Sequence, residues 1–168
     1  MTARPASGGG SNAFTFDVDN RLLTAAVAGG TEEYNYLADN KRVWKKEPSG
    51  TEYVYFYGAG GQKLATYQVV SSPFSLTQVS LNVYFGGKLI RADGVAVASD
   101  RLGSVTGRSA AADSPSVTSH DYYPYGAEIG GATAGNRDKF GTYHRDASTA
   151  LDYADQRYYA SGNGRFLT

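Results

Sequence analysis

The chain has 168 residues, with 16 lysines and arginines against 16 aspartates and glutamates, 21 glycines, 14 tyrosines and no cysteine. The balanced charge argues against a dedicated nucleic-acid binder, and the missing thiols exclude disulfide stapling and thiolate catalysis while leaving the compartment open. So many Gly and Tyr beside one Trp and one Met favour strands and tight turns over helices, and the length suits a single domain.

Residues 1–12, with the run Ser7-Gly8-Gly9-Gly10-Ser11, read as a flexible tail or linker, and residues 13–168 as one β domain. The first residues lack the apolar stretch of a secretion signal, and no later run approaches the ~20 apolar residues that cross a bilayer as a helix.

From Phe14 a short theme repeats: two aromatics two residues apart, a polar turn, then a basic and an aliphatic residue. The units are Phe14-Thr15-Phe16 with Arg21-Leu22-Leu23, Tyr34-Asn35-Tyr36 with Arg42-Val43, and Tyr53-Val54-Tyr55 with Lys63-Leu64. Aromatics two apart share one face of a strand, and Asp19-Asn20, Asp39-Asn40 and Gly60-Gly61 supply the positive φ that a reversal needs. The pattern predicts a row of stacked antiparallel hairpins. Residues 70–79, with Pro73 and three serines, predict a bulged or wide connection. Two further hairpins follow, with Gly86-Gly87 and Asp93-Gly94 turning between the strands Ser80–Phe85, Lys88–Ala92 and Val95–Ser99. Residues 107–119 and 129–137 read as loops, and only Ser148–Tyr158 offers any helix pattern, which its aromatic end opposes.

Later motifs carry a family resemblance. Asp100-Arg101-Leu102-Gly103-Ser104, Tyr122-Tyr123-Pro124-Tyr125-Gly126, Arg145-Asp146, Leu151-Asp152-Tyr153, Arg157-Tyr158-Tyr159 and Gly164-Arg165-Phe166-Leu167 resemble, in order and spacing, the core signature of bacterial Rhs proteins. This YD-repeat family includes the C components of insecticidal toxin complexes. The resemblance implies an all-β strip of a hollow shell that holds a toxic polypeptide unfolded, and a secreted or cell-surface location. In the family a Gly stands where this chain has Ala150, and a positive φ there would strain Ala by ~1 kcal/mol or more. The family's Gly-Arg-Phe-Leu element precedes an Asp-Pro segment holding the aspartates of a self-cleaving protease. By resemblance, then, the cutting residues lie beyond Thr168.

The residues themselves give weaker chemical signals. Asp138, Asp146, Asp152 and Asp155 alternate with Arg137, Arg145, Arg157 and Arg165, a pattern of ion-paired turns more than of a carboxylate pair sharing a proton. His120 and His144 lack metal-ligand spacing, and Gly58-Ala59-Gly60-Gly61-Gln62-Lys63 lacks the phosphate-loop spacing and the helix that must follow it. The tyrosines suit cross-strand packing first and a carbohydrate-stacking platform second.

The expected function is therefore a non-enzymatic structural or assembly element without metal or cofactor. Its expected partners are a polypeptide cargo, the rest of an Rhs chain, or further copies joined through open sheet edges. The alternatives are part of an aspartic self-cleaving core, and a carbohydrate-binding surface.

Overall fold

The computed structural model describes residues 2–5, 11–133 and 135–167. Of the segment expected to be a linker, residues 1 and 6–10 lie outside the described residues, and the rest is strand. Strands β1 (Thr2–Pro5) and β2 (Ser11–Phe16) pair antiparallel. They continue through β3 (Leu22–Val27), β4 (Gly30–Tyr36), β5 (Arg42–Lys46), β6 (Glu52–Tyr57), β7 (Lys63–Ser71) and β8 (Phe74–Leu81) as an eight-stranded sheet in which each strand pairs with the next. A second sheet holds β9 (Val83–Phe85), β10 (Lys88–Ala92), β11 (Val95–Ser99), β12 (Val105–Ser109) and β13 (Val117–Ser119). The third holds β14 (Arg137–Asp138), β15 (His144–Arg145), β16 (Asp152–Tyr153), β17 (Tyr158–Ala160) and β18 (Arg165–Phe166). The fold is all-β and antiparallel throughout. Among the described residues no sheet closes into a barrel, and the helical content is one 3-10 turn at Phe140–Thr142.

The repeat has a backbone basis. Asp17, Leu37 and Gly58 each donate their amide to the carbonyl four residues on, at 3.0, 2.8 and 2.9 Å. Asn20, Asn40 and Gly61 take the positive φ these turns demand. Directly after each turn one residue is extra to the ladder: Tyr36 pairs with Arg42 and Asn35 with Trp44, leaving Val43 unopposed. Leu23 and Leu64 occupy the same place in their units. A bulge recurring at the same point of each hairpin adds twist at regular steps and bends the strip.

This register corrects the reading of the third unit, which begins at Tyr55 and not Tyr53. Thr66 opposes Tyr55 as Ala25 opposes Phe14, so the aromatics step from 14 to 34 to 55, by 20 and then 21 residues. Three tyrosines alternate in β6, and their pattern alone cannot say which pair is the repeat unit. A fourth unit was hidden in the sequence. Asp100 donates its amide to the Ser104 carbonyl at 2.9 Å, and Thr106 is the extra residue between Val105 and Gly107.

Two other expectations hold only in part. Residues 70–79 form no wide connection, since Ser72-Pro73 is a tight turn and Ser71 pairs with Phe74 to extend a long hairpin, but the expected bulge is present at Val79, between Gln78 and Ser80. Residues 107–119 are not all loop, because Gly107–Ser109 pair with Val117–Ser119, where small side chains let the strands approach. Residues 148–158 form strands and turns, with no helix.

The principal core lies between the first and third sheets, where Phe14, Leu22, Ala25 and Tyr34 meet Leu151, Tyr153 and Tyr158. The paired aromatics thus do not line an open interior, since the third sheet covers them. Leu89, Ala92, Val97 and Val105 form a smaller core in the second sheet.

Candidate functional site

The buried face of the first sheet becomes charged along the strip. Leu22, Arg42 and Lys63 occupy equivalent positions, as do Ala25, Lys45 and Thr66. The Leu22 position therefore carries a cation in both later units and the Ala25 position one in the second, with counter-charges from the third sheet and from Glu32.

Arg42 and Asp146, 1% and 0% exposed, form a two-pronged ion pair whose Nη2–Oδ1 distance is 3.0 Å. Lys45 Nζ lies 3.0 Å from Glu32 Oε1 and 3.5 Å from Asp146 Oδ1. Four rings enclose the guanidinium, with its carbon 4.7 Å from the Tyr153 centroid, 4.9 Å from Tyr55, 5.6 Å from Tyr34 and 5.9 Å from Tyr158. Desolvated cation–π contacts of this kind contribute on the order of 2 kcal/mol. The Tyr153 hydroxyl accepts from the Arg42 amide at 2.8 Å, and the Tyr158 hydroxyl from Nη1 at 3.0 Å. Burial pushes the Tyr55 phenol up to about 12 despite the nearby Arg42.

A second cluster joins Lys63, Asp138 and His144. Lys63 Nζ donates to Asp138 Oδ1 at 3.0 Å and lies 2.7 Å from His144 Nδ1, while Asn82 donates to the other Asp138 oxygen at 3.1 Å. These residues stand between a cavity of about 80 Å³, shared with Lys45 and Tyr55, and a more open cleft of about 230 Å³ beside Tyr57 and Tyr84. The first volume admits a few waters but is small for an organic ligand. In a third cluster Arg145 grips Asp152 with Nε and Nη2, each at 2.7 Å, and Lys139 donates to Glu128 at 2.8 Å.

Ion pairing of the late aspartates was expected, but most partners come from elsewhere. Only Asp152 pairs with a neighbouring arginine. Asp138 takes Lys63, Asp146 takes Arg42 and Lys45, and Asp155 takes Lys41. Sequence reasoning missed Glu32, Lys45 and Asn82 altogether; the replacement of Leu22 and Ala25 by cations one repeat later was the available signal. Burial alone would raise the carboxyl pKa values of Asp138 and Asp146, but Lys63 at the first and Arg42 with Lys45 at the second hold both below the ordinary carboxylate value. Neither therefore holds the proton that a carboxylate pair sharing one would need.

The motif residues gather around the third sheet. Asp100 Oδ1 accepts the amides of Leu102 and Ser104, each at 2.8 Å, as Asp17 accepts from Arg21 in the first unit. Gly103 has φ +89°, and a Cβ there would stand 2.5 Å from Thr142 Cγ2. Tyr122 donates to the Val105 carbonyl at 2.8 Å, joining the second sheet to the loop that carries Pro124 and Gly126. Tyr159 donates to the Tyr125 carbonyl at 2.9 Å, and the Gly164 backbone passes beside the Tyr125 ring. Arg157 stacks 4.0 Å over Phe166, whose strand pairs Tyr159 with Phe166 and Ala160 with Arg165. Leu151, Tyr153 and Tyr158 lie in the principal core, whereas Leu102, Pro124, Tyr125, Arg157 and Arg165 are at the surface.

Gly58–Lys63 is a hairpin turn between β6 and β7. Tyr34, Tyr55, Tyr153, Tyr158 and Tyr159 are buried, so their rings offer no flat face to a sugar; Tyr123 and Tyr125 are the strongly exposed tyrosines. Among the described residues no cluster of His and carboxylates has the arrangement of a metal site, and no helix is long and apolar enough to cross a membrane.

Neither a family model nor a curated protein matches the sequence. Solved structures do resemble the fold. The crystal structure of TcdB2-TccC3-TEV matches over 94% of this chain at 17% identity and a TM-score of 0.62. TcdB2-TccC3 without its hypervariable C-terminal region matches over 94% at 15% and 0.62, and TcdB2-TccC3-Cdc42 over 94% at 15% and 0.61. The chain spans only 9% of the length of each of those chains. At this identity the likeness is one of fold, an all-β arrangement of antiparallel sheets.

Proposed function

We propose that the chain is a non-enzymatic wall segment of an Rhs-type shell, which encloses or scaffolds a polypeptide and continues its sheet through strand addition at β8. The observation that carries this reading is the state of that edge. β8 ends the first sheet, runs for eight residues, Phe74–Leu81, contains neither a charge nor an internal proline, and departs from regular pairing only at a bulge at Val79, near its end. Natural edge strands are ordinarily blunted by shortness, charge or proline. The other terminal strands follow that rule: β1 carries Arg4 and Pro5, and β9, β13, β14 and β18 have two or three residues each.

An apolar surface flanks the edge, with Phe56, Leu64, Leu76, Leu81, Val83 and Phe85 exposed. A surface of this kind suits a partner polypeptide, because apolar burial makes no demand on the partner's sequence. Asp138 and Asp146, held ionised by fixed cations, suit a structural role better than proton transfer.

Light scattering across a concentration series tests the proposal. The expected result is a mass that rises with concentration in the native chain and stays at 17.9 kDa when Thr77→Lys places a charge on β8. A single 17.9 kDa species at every concentration, with full sheet content, would remove the edge from the account.

A further inference from the structure

A cleft of about 360 Å³ opens where the second sheet meets β14, between Asp93, Arg108, Ser109, Thr118, His120 and Arg137, and it adjoins the Asp138 cluster, whose smaller cavity Asp93 and Arg137 also line. Arg108 is 5% exposed and already committed: Nη1 reaches Asp93 at 3.3 Å, and Nη2 donates to the Asp138 carbonyl at 3.0 Å. Arg137 is different. Among the described residues no carboxylate lies within ion-pair distance of it, and its Nε is buried with no acceptor. A guanidinium presents its donors in a fixed fork that matches the oxygens of a carboxylate or phosphate, and buried donors of this kind are nearly always satisfied.

The surroundings favour a negative occupant. Burial, together with the cations of Arg108, Lys139 and Arg137, holds the His120 imidazole pKa below its ordinary value against the pull of Glu128. Asp93 offsets one of the two cleft arginines, and Thr118 sets a hydroxyl-bearing side chain on the wall.

We infer that this cleft is an oxyanion-binding site, in which Arg137, supported by Arg108, receives a phosphate or carboxylate group. The inference does not rest on the shell reading, since it needs only the cleft and its unpaired guanidinium. Phosphate and carboxylate share the chemistry that the arginine fork recognises, and a titration separates them.

Inorganic phosphate and, in a parallel series, sodium acetate would be added at constant ionic strength while the amide resonances of Arg108, His120 and Arg137 are followed by NMR. The expected result is saturable movement of these signals with at least one of the two anions. Arg137→Gln should weaken that binding about tenfold or more, and Arg137→Lys, which keeps the charge and loses the fork, should weaken it less. The exposed control Arg101→Gln should leave it unchanged. Saturation by phosphate alone or by acetate alone assigns the occupant's chemistry. Movement that stays linear into the tens of millimolar with both anions, or equal affinity in folded native and Arg137→Gln proteins, would overturn the site.

Discussion

Arg42 and Asp146, separated by 104 positions in the chain, form a buried two-pronged ion pair between the first and third sheets. The pair fixes how the late motif region lies across the repeat strip, because Arg42 projects from a hairpin position that Leu22 fills in the preceding unit. Removing one partner leaves charge without compensation in a site that excludes water. Asp146→Asn, which keeps the shape and strands Arg42 and Lys45, should lower the unfolding free energy by about 3–5 kcal/mol. Urea titration of the two proteins checks it.

Acid should destabilise the chain in two stages, through its histidines and then through Asp138 and Asp146, with Asp152, whose carboxyl pKa burial raises, acting in the opposite sense. His144 and His120 have folded pKa values below the ordinary 6.5, chiefly through burial, so the stability they contribute is full above 6.5 and is lost as the pH falls through their depressed values. Asp138 and Asp146 lie below the ordinary 3.8, so their contribution persists above that value and disappears only at lower pH. The urea midpoint should therefore fall between pH 7 and pH 5, and fall less in His144→Gln. Midpoints measured at the two pH values in both proteins decide the point.

Ala150 adopts φ +55°, the left-handed conformation that a glycine would occupy without strain. Relief of about 1–2 kcal/mol of strain is partly offset by the greater freedom of glycine in the unfolded chain. Ala150→Gly should consequently stabilise the protein by about 0.5–1 kcal/mol, seen as a rise of roughly 1–4 °C in thermal midpoint.

Two glycines with positive φ should respond unequally to alanine. At Gly50 a Cβ meets nothing within 4 Å, so Gly50→Ala should cost only the conformational strain, about 1–2 kcal/mol. At Gly126 the Cβ would stand 2.5 Å from the Phe140 ring, and overpacking adds roughly 1–3 kcal/mol to the same strain. Chemical denaturation of both variants measures the difference.

Local structure was legible where turn chemistry is strict. Gly86-Gly87 and Asp93-Gly94 all take positive φ, and the hairpins they close were plain in the sequence. The repeat was legible as well, though its phase in β6 was not, because alternating tyrosines look alike from either starting point. The hairpin closed by Ser72-Pro73 and the strand ending at Ser109 were obscured by serine and glycine, which carry little strand preference of their own. The buried clusters were the least legible. Lys45 and Glu32 sit at positions whose alternation marks them as inward-facing, yet charge at such a position ordinarily signals a surface. Their pairing with each other across adjacent strands, and the contact of Lys45 with Asp146, 101 residues away in sequence, make them comprehensible.

The edge of β8 offers the most direct test of the chain as a wall segment. Hydrogen exchange resolved at the amides of Phe74–Leu81 would be compared at low and high protein concentration, in the native chain and in Thr77→Lys. The account predicts that the outward-facing amides of β8, those not bonded to β7, become protected as concentration rises in the native chain alone, while protection within β3–β6 is constant. Rapid exchange of those outward-facing amides at every concentration, with the rest of the sheet protected, would contradict it.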